Sequence, residues 1–204
     1  FVDWNKYKPQ ITTQVEKATG LQIAIGGGLS MSLLPVPHVK IEDLTVTSPN
    51  SKEFENLLTM KSAEVSVELM PLLQKEIKVS SVTLIEPDIK IEILENGTPS
   101  WETEKLKRGA EKNETLPEEE KQEPQTKISA TSKLESIALD KIEIQEGKVI
   151  FVNHSTNARY SVSDVNTTLK ANSLTGPFSG QGDLVYNKNK IVFNVKTDKL
   201  QVGT

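Results

Sequence analysis

The chain has 204 residues, of which 36% are hydrophobic and 5% aromatic, and its formal net charge is -4. This length is enough for one sizeable domain or two small ones. The absence of cysteine excludes a disulfide scaffold and thiolate metal sites, the acidic balance argues against a nucleic-acid partner, and no apolar run is long enough to span a bilayer.

The first segment is predicted to form one amphipathic helix. Asp3 is a plausible N-cap, Pro9 suits a first-turn position, and Gly20 is expected to end the helix in a left-handed conformation. Apolar residues recur at spacings of three or four, which places them on one face. These residues are Trp4, Tyr7, Ile11, Val15 and Ala18.

After Gly20 the apolar period changes from 3.6 to 2, which indicates β-strands up to residue 101 and again from 134 to 204. The clearest strand runs from Ser62 to Leu69, where apolar and polar residues alternate strictly. The alternation changes parity near Asp43, which predicts a β-bulge there. Asn187-Lys188-Asn189 is predicted to form a hairpin turn.

A weak internal repeat with an offset of sixty residues is visible, and each copy reads as strand, turn, strand. Alternating strands often resemble one another by chance, so the sequence leaves a true repeat and a coincidence open. The first copy contains Val82, Leu84, Pro87, Ile89 and Ile91, and the second contains Ile142, Ile144, Gly147, Val149 and Phe151.

The residues that follow 101 differ in kind from the strands on either side. Residues 102–127 contain eight glutamates and six basic residues but only three apolar ones. Such a segment cannot bury enough apolar surface to offset its chain entropy. We therefore divide the chain into a helix with sheet (1–101), a charged flexible linker (102–133) and a continuation of the sheet (134–204).

The predicted strands have one apolar and one polar face, as expected for antiparallel sheet. One short helix cannot cover so many apolar faces, so the sheet must curl, pack on a second sheet or leave apolar surface for a ligand. We predict a mainly β fold, a curled antiparallel sheet that is groove-shaped or sandwich-like, with one N-terminal helix. Its Ile, Val and Leu surface suits acyl chains, although an ordinary aliphatic core would have the same composition.

The sequence offers little for catalysis. Gly26-Gly27-Gly28 lacks the Gly-Lys-Ser/Thr ending of a phosphate-binding loop, and no Gly-x-Ser-x-Gly nucleophile motif occurs. His38 and His154 are far apart and have no neighbouring histidine or paired carboxylates, so both are expected to be surface or loop residues. We expect no catalytic residue, no metal site and no cofactor.

Seven segments, taken in order, resemble the AsmA family of Gram-negative envelope proteins, which is related to TamB-like and chorein-type lipid-transfer proteins. The resemblance covers almost the whole chain except the linker. One departure is Ser100 before Trp101, where the family often has Asn. The segments are Asp3–Ile11, Ala18–Ile23, Leu29–Pro37, Met70–Leu73 followed by Ile77, Leu84–Ile89, Ile142–Val149 and Leu174–Phe178.

The resemblance implies an inner-membrane anchor preceding Phe1, a body in the periplasm and a role in outer-membrane biogenesis. It also implies a curled sheet that carries phospholipid or another acyl lipid, and it supplies no catalytic residues. Envelope proteins are further candidate partners.

Three hypotheses follow from the sequence. The first is a lipid-binding or lipid-conducting sheet. The second is a structural or assembly protein of the envelope with a closed, dry β core. The third, an enzyme, requires a polar cleft that the sequence does not indicate. For the first hypothesis, the predicted groove-lining residues are Val65, Val67, Leu69, Ile89, Ile91 and Ile93.

Overall fold

The structure is a computed structural model and describes residues 3–68, 70–71, 78–107, 141–171 and 177–197. One helix follows a short 3-10 turn, and ten strands form a single sheet within these ranges. The bounds are 3-10 turn Trp4–Tyr7, α1 Lys8–Thr19, β1 Ile23–Ile25, β2 Leu29–Ser32, β3 His38–Thr47, β4 Asn56–Val67, β5 Val79–Ile85, β6 Asp88–Ile93, β7 Lys141–Asn153, β8 Ala158–Ala171, β9 Phe178–Tyr186 and β10 Asn189–Thr197.

The N-terminal helix has the predicted first-turn proline and stop signal, but Asp3 caps the preceding 3-10 turn, and the N-cap of α1 itself is Tyr7. The Asp3 carboxylate accepts a hydrogen bond from the Asn5 amide at 3.0 Å, and Gly20 ends α1 with φ of 76°. The predicted apolar face is half-buried except for Ala18, which is exposed. Among the residues that the structure describes, no helix is long and apolar enough to span a membrane.

The sheet is one open path of strands rather than two packed layers. Its order is β1-β3-β4-β5-β7-β8-β9-β10, with β2 beside β3 and with β6 between β4 and β7. Consequently β1 and β2 together form one interrupted strand beside β3. In the same way, β5 and β6 form one interrupted strand between β4 and β7. The breaks fall at the glycines 26–28 and at Glu86-Pro87, where the chain cannot continue regular pairing.

One strand pairing differs from the antiparallel sheet that the sequence predicts. β5 and β6 pair with β7 in parallel, whereas all other neighbours are antiparallel. A parallel pairing requires a crossover of a dozen or more residues. The charged stretch between β6 and β7 supplies that length, although its residues 108–140 lie outside the described part of the chain.

The sixty-residue repeat corresponds to this parallel pairing. Each repeated apolar residue of β5 or β6 lies directly beside its counterpart in β7, so the two copies are neighbouring strands with the same shape. The pairs are Val82 with Ile142, Leu84 with Ile144, Ile89 with Val149, and Ile91 with Phe151.

A line of backbone irregularities crosses the sheet from β3 to β8, and we call it the bulge line. Each member has a left-handed backbone, and the apolar pattern changes parity there in every strand. The parity change that the sequence places near Asp43 is confirmed. The members are Asp43 with φ of 51°, Glu86 with φ of 50°, Glu146 with φ of 54° and Asp164 with φ of 48°.

Few hydrophobic side chains of the described residues are fully enclosed, because one sheet layer leaves most strand residues half-buried. The buried hydrophobic residues lie near the bulge line and beneath the β3–β4 connection. They are Leu29, Val46, Met60, Ala63, Val152 and Val165.

Candidate functional site

The candidate site is the apolar face of the sheet, which cross-strand pairing makes continuous. On one side of the bulge line, Val65 of β4 lies beside Val39 and Val82, and Val82 lies beside Ile142. Leu169 extends this row into β8. Side chains that are directly paired share one face, so five neighbouring strands present an unbroken aliphatic row.

A second aliphatic row crosses the other side of the bulge line. Ile89 of β6 lies between Leu58 of β4 and Val149 of β7, and Val162 continues the row into β8. Val46 of β3 completes it at the other side.

The two rows lie on the same face of the sheet because the strands change parity between them. A Cβ atom added to Gly147 would lie 2.7 Å from Cγ2 of Ile144, and 3.4 Å from both Cγ of Pro87 and Cβ of Val165. Ile144 lies in the part of β7 that contributes to the first row. Gly147 begins the part of β7 that contributes to the second row. The bulge line therefore keeps the aliphatic surface continuous along the strands.

The predicted groove-lining residues fall on these rows or next to them. Val65, Val67, Ile89, Ile91 and Ile93 are all half-buried. Ile91 pairs with an aromatic neighbour in β7, whereas Ile93 pairs with a polar residue near the end of the sheet. Leu69 lies outside the described residues.

Sequence reasoning missed a buried polar cluster on the opposite face. Glu92 of β6 is completely buried beneath residues 48–55, which connect β3 to β4. Its carboxylate accepts hydrogen bonds from the Ser51 hydroxyl and from the Lys52 amide at 3.2 Å, and it lies 2.7 Å from Nε2 of His154. His154 lies in the β7–β8 turn, as expected for a loop histidine, but the sequence did not indicate its carboxylate partner.

Two effects act on the protonation of Glu92. Burial by itself raises the pKa of a carboxyl group, because it removes water from the charged form. The hydrogen bonds from Ser51, His154 and the Lys52 amide outweigh that effect and hold the pKa of Glu92 below its usual value of 4.5. The cluster therefore favours a buried carboxylate that joins three separate segments of the chain.

The cluster has the residue types of a hydrolase triad but not its order. In such a triad the imidazole lies between the hydroxyl and the carboxylate, so that it can take the hydroxyl proton. Here the carboxylate lies in the middle, and Ser51 donates to Glu92 instead. This arrangement positions chain segments and does not activate a nucleophile. Within the described ranges, no group of three or more His, Cys, Asp or Glu residues could hold a metal ion.

A separate concavity of about 830 Å³ lies across β7 to β10 and does not contain the predicted lining residues. Its side chains are mainly polar, so it does not resemble an acyl-chain site. The lining includes Glu143, Gln145, Thr168, Gln181, Asp183 and Asn194.

Comparison with known proteins agrees with the order of the sequence motifs. Residues 1–201 match the sequence profile of the AsmA family. The chain belongs to the AsmA family. A comparison with curated proteins gives no significant match. AsmA-family membership indicates a role in the biogenesis of the cell envelope and outer membrane.

Proposed function

We propose that this AsmA-family chain is a periplasmic, non-catalytic module, held at the inner membrane, that binds or conducts phospholipid in outer-membrane biogenesis. The apolar face of its sheet would receive the acyl chains, and the head groups would remain at the solvated rim. Its partners would be phospholipid or another acyl lipid, the inner membrane, and proteins of the envelope. It would need no cofactor, because transfer between two apolar surroundings requires no bond to break.

The continuous aliphatic face is the observation that carries this proposal. Five adjacent strands contribute Ile, Val or Leu to each row. Most of these side chains are half-buried, while Val46 is buried and Leu169 is exposed. An acyl chain on such a surface gains about 0.8 kcal/mol for each methylene group that leaves water. The shortage of aromatic rings suits saturated chains better than sugars or bases, which bind by stacking.

The second candidate, a closed structural protein, needs a sheet that encloses its apolar face. The described strands form one sheet in which β1 and β10 lie at opposite ends of the pairing order. Within the described part of the chain no second sheet packs on this one, so the geometry favours the lipid-binding candidate.

Native mass spectrometry after gentle extraction tests the proposal. The wild-type chain is expected to retain phospholipid. Val65→Asp and Ile91→Asp each introduce a charge among apolar neighbours on the proposed lipid-binding face, so they should lose the lipid. Thr83→Asp provides the matched control, because it adds the same carboxylate on the opposite face of the neighbouring strand β5.

Circular dichroism and urea unfolding should show that the variants are folded. A wild-type chain without any retained lipid would contradict the proposal. Equal lipid loss in the Thr83→Asp control would also contradict it, because the apolar face would then not be the determinant.

A further inference from the structure

One end of the sheet exposes large hydrophobic side chains at the tips of its loops. We call it the 33–37 end, after the connection between β2 and β3; the β4–β5 turn lies there too. Leu34 is 77% exposed and Met70 in the β4–β5 turn is 67% exposed, while Leu33 and Val36 are about half exposed. Such clustered exposed apolar residues are unusual for a surface that meets only water.

The exposed residues are held on a fixed support. Pro37 directly beneath them is fully buried, and its carbonyl accepts a hydrogen bond of 2.9 Å from the amide of Val67 in β4. Nδ1 of His38 lies 2.9 Å from the carbonyl oxygen of Val36. The apolar tip is therefore anchored to two strands and is presented to the outside by the fold.

The polar face at this end carries a row of basic residues without an acidic member. Lys141 of β7 lies directly beside Lys170 of β8, and Lys196 of β10 lies two strands further along the row, beyond Ser179 of β9. Lys141 also forms an ion pair with Glu143 of the next row at 2.5 Å. The complete row is His38, Ser66, Ser81, Lys141, Lys170, Ser179 and Lys196.

The opposite end of the sheet has a different character. Its described connections are 48–55, 94–103, 154–157 and 187–188, and none of the exposed large hydrophobic residues lies in them. Charged residues of both signs are mixed there, as in the ion pairs of Lys52 with Glu95 and of Arg159 with Glu53. An ion pair of Lys78 with Glu68 also lies at the 33–37 end, at the β4–β5 turn. The two ends therefore differ in hydrophobicity, and the 33–37 end carries the lysine row.

We propose that the 33–37 end docks on the surface of an anionic lipid bilayer. Leu33, Leu34 and Val36 would enter the acyl region at the interface, and the lysine row would face anionic head groups. The aliphatic face of the sheet reaches this end at Val67, so lipid could pass between the bilayer and the sheet. The inference rests on the proposed function, because a lipid-carrying face needs a point of contact with a membrane.

Vesicle flotation of the full 204-residue chain tests the docking. Vesicles of phosphatidylcholine with about one third phosphatidylglycerol should bind the wild type more tightly than vesicles of phosphatidylcholine alone. Each lysine near an anionic surface changes partition about five-fold. The triple variant Lys141→Gln, Lys170→Gln, Lys196→Gln should therefore bind anionic vesicles about two orders of magnitude more weakly than the wild type. Added salt should weaken the binding of the wild type to these vesicles in the same direction.

Two matched controls separate this end from the rest of the surface. Lys52→Gln, Lys188→Gln and Lys190→Gln remove the same charge at or near the opposite end and should leave binding within about two-fold. Leu34→Ser with Val36→Ser should weaken binding at least about ten-fold on both vesicle types. Ile191→Ser with Val192→Ser removes exposed apolar residues from β10 and should have little effect.

Failure of the docking can be distinguished from failure of the proposed function. A wild type that does not float with anionic vesicles, or equal losses in both lysine triples, would overturn the docking even if the chain retains lipid. Ile91→Asp should still float although it has lost its lipid, and Leu34→Ser with Val36→Ser should still retain lipid. Flotation without any lipid retention would support the docking and contradict only the proposed function.

Discussion

At the scale of single residues, Glu92 shows how a charge on a strand becomes buried. Alternation alone places it on the polar face of β6, where solvent exposure is the expectation. The 48–55 connection covers that face and supplies the Ser51 hydroxyl and the Lys52 amide, while His154 arrives from the β7–β8 turn. A buried carboxylate with several donors stabilises the fold only while all of them remain in place.

We expect Glu92→Gln to lower the free energy of unfolding by about 2–3 kcal/mol at pH 7, because the hydrogen bonds to a charged acceptor are lost. Urea unfolding followed by circular dichroism measures this change. Glu95→Gln is the matched control, since Glu95 is 74% exposed and makes an ion pair with Lys52 at 3.4 Å. Its effect should stay within about 0.5 kcal/mol. Similar losses in the two variants would contradict the structural role of the cluster.

The same residue predicts a pH dependence of stability. The pKa of Glu92 is lowered in the folded state, so its ionised form favours folding above the unfolded value of 4.5. That contribution is lost as the pH falls through the lowered pKa. The stability difference between wild type and Glu92→Gln should therefore be largest near neutral pH and shrink below about pH 4.5. A difference that is constant down to pH 3 would disprove the assignment.

At the scale of elements, the parallel pair formed by β5, β6 and β7 explains the internal repeat. Two stretches that pair in parallel with an offset of sixty residues must bend at the same place to stay in register. Glu86-Pro87 and Glu146-Gly147 provide that bend, with φ of 50° and 54° at the two glutamates. Proline and glycine thus occupy equivalent positions because each interrupts regular strand geometry.

The β9–β10 hairpin gives a prediction at this scale. Asn187 and Lys188 form the two-residue turn with φ of 48° and 65°, a conformation that favours glycine at the second position. Lys188→Gly should raise the free energy of unfolding by about 0.5–1 kcal/mol. Lys190→Gly, in the regular part of β10, should lower it instead. Thermal unfolding of both variants measures the signs, and destabilisation by Lys188→Gly would contradict the left-handed turn.

At the scale of the whole molecule, the sheet has a centre and two unlike edges. β7 is bonded on one side to β5 and β6 and on the other to β8, whereas β10 is bonded only to β9 among the described strands. The edge at β1 and β2 is short and interrupted by glycines. There the Lys8 ammonium donates a hydrogen bond to the Gly27 carbonyl, and the side-chain oxygen of Asn5 accepts one from the Leu29 amide. The β10 edge is nine residues long and uninterrupted.

Hydrogen exchange should report this gradient. Amides of β7 should exchange through openings whose free energy approaches that of global unfolding, while the outward amides of β10 should open at a cost near zero. Hydrogen exchange followed by mass spectrometry at two protein concentrations measures the opening free energies of both strands. Strong protection of β10 in dilute solution would show that something covers this edge and would contradict its description as open.

Much of the fold could be predicted from the sequence because its signals are local. Asp3 caps the 3-10 turn, Gly20 ends α1, and the alternation around Val65 defines β4. The parity change near Asp43 marks its left-handed backbone. Each of these signals depends on the conformation of a few neighbouring residues. Local patterns also gave the aliphatic character of one face. They could not give the parallel pairing, because which strand lies beside β7 depends on the path of a long connection.

The sequence by itself thus determined the strands, their apolar faces and the AsmA-family membership, because periodicity, turn residues and motif order are properties of short segments. Only the tertiary structure decided that the rows of Val65 and Ile89 share one surface, that Glu92 meets Ser51 and His154, and that Leu34 lies at the end that carries the lysine row. These are juxtapositions of residues distant in the chain, and the register of long-range pairing fixes them.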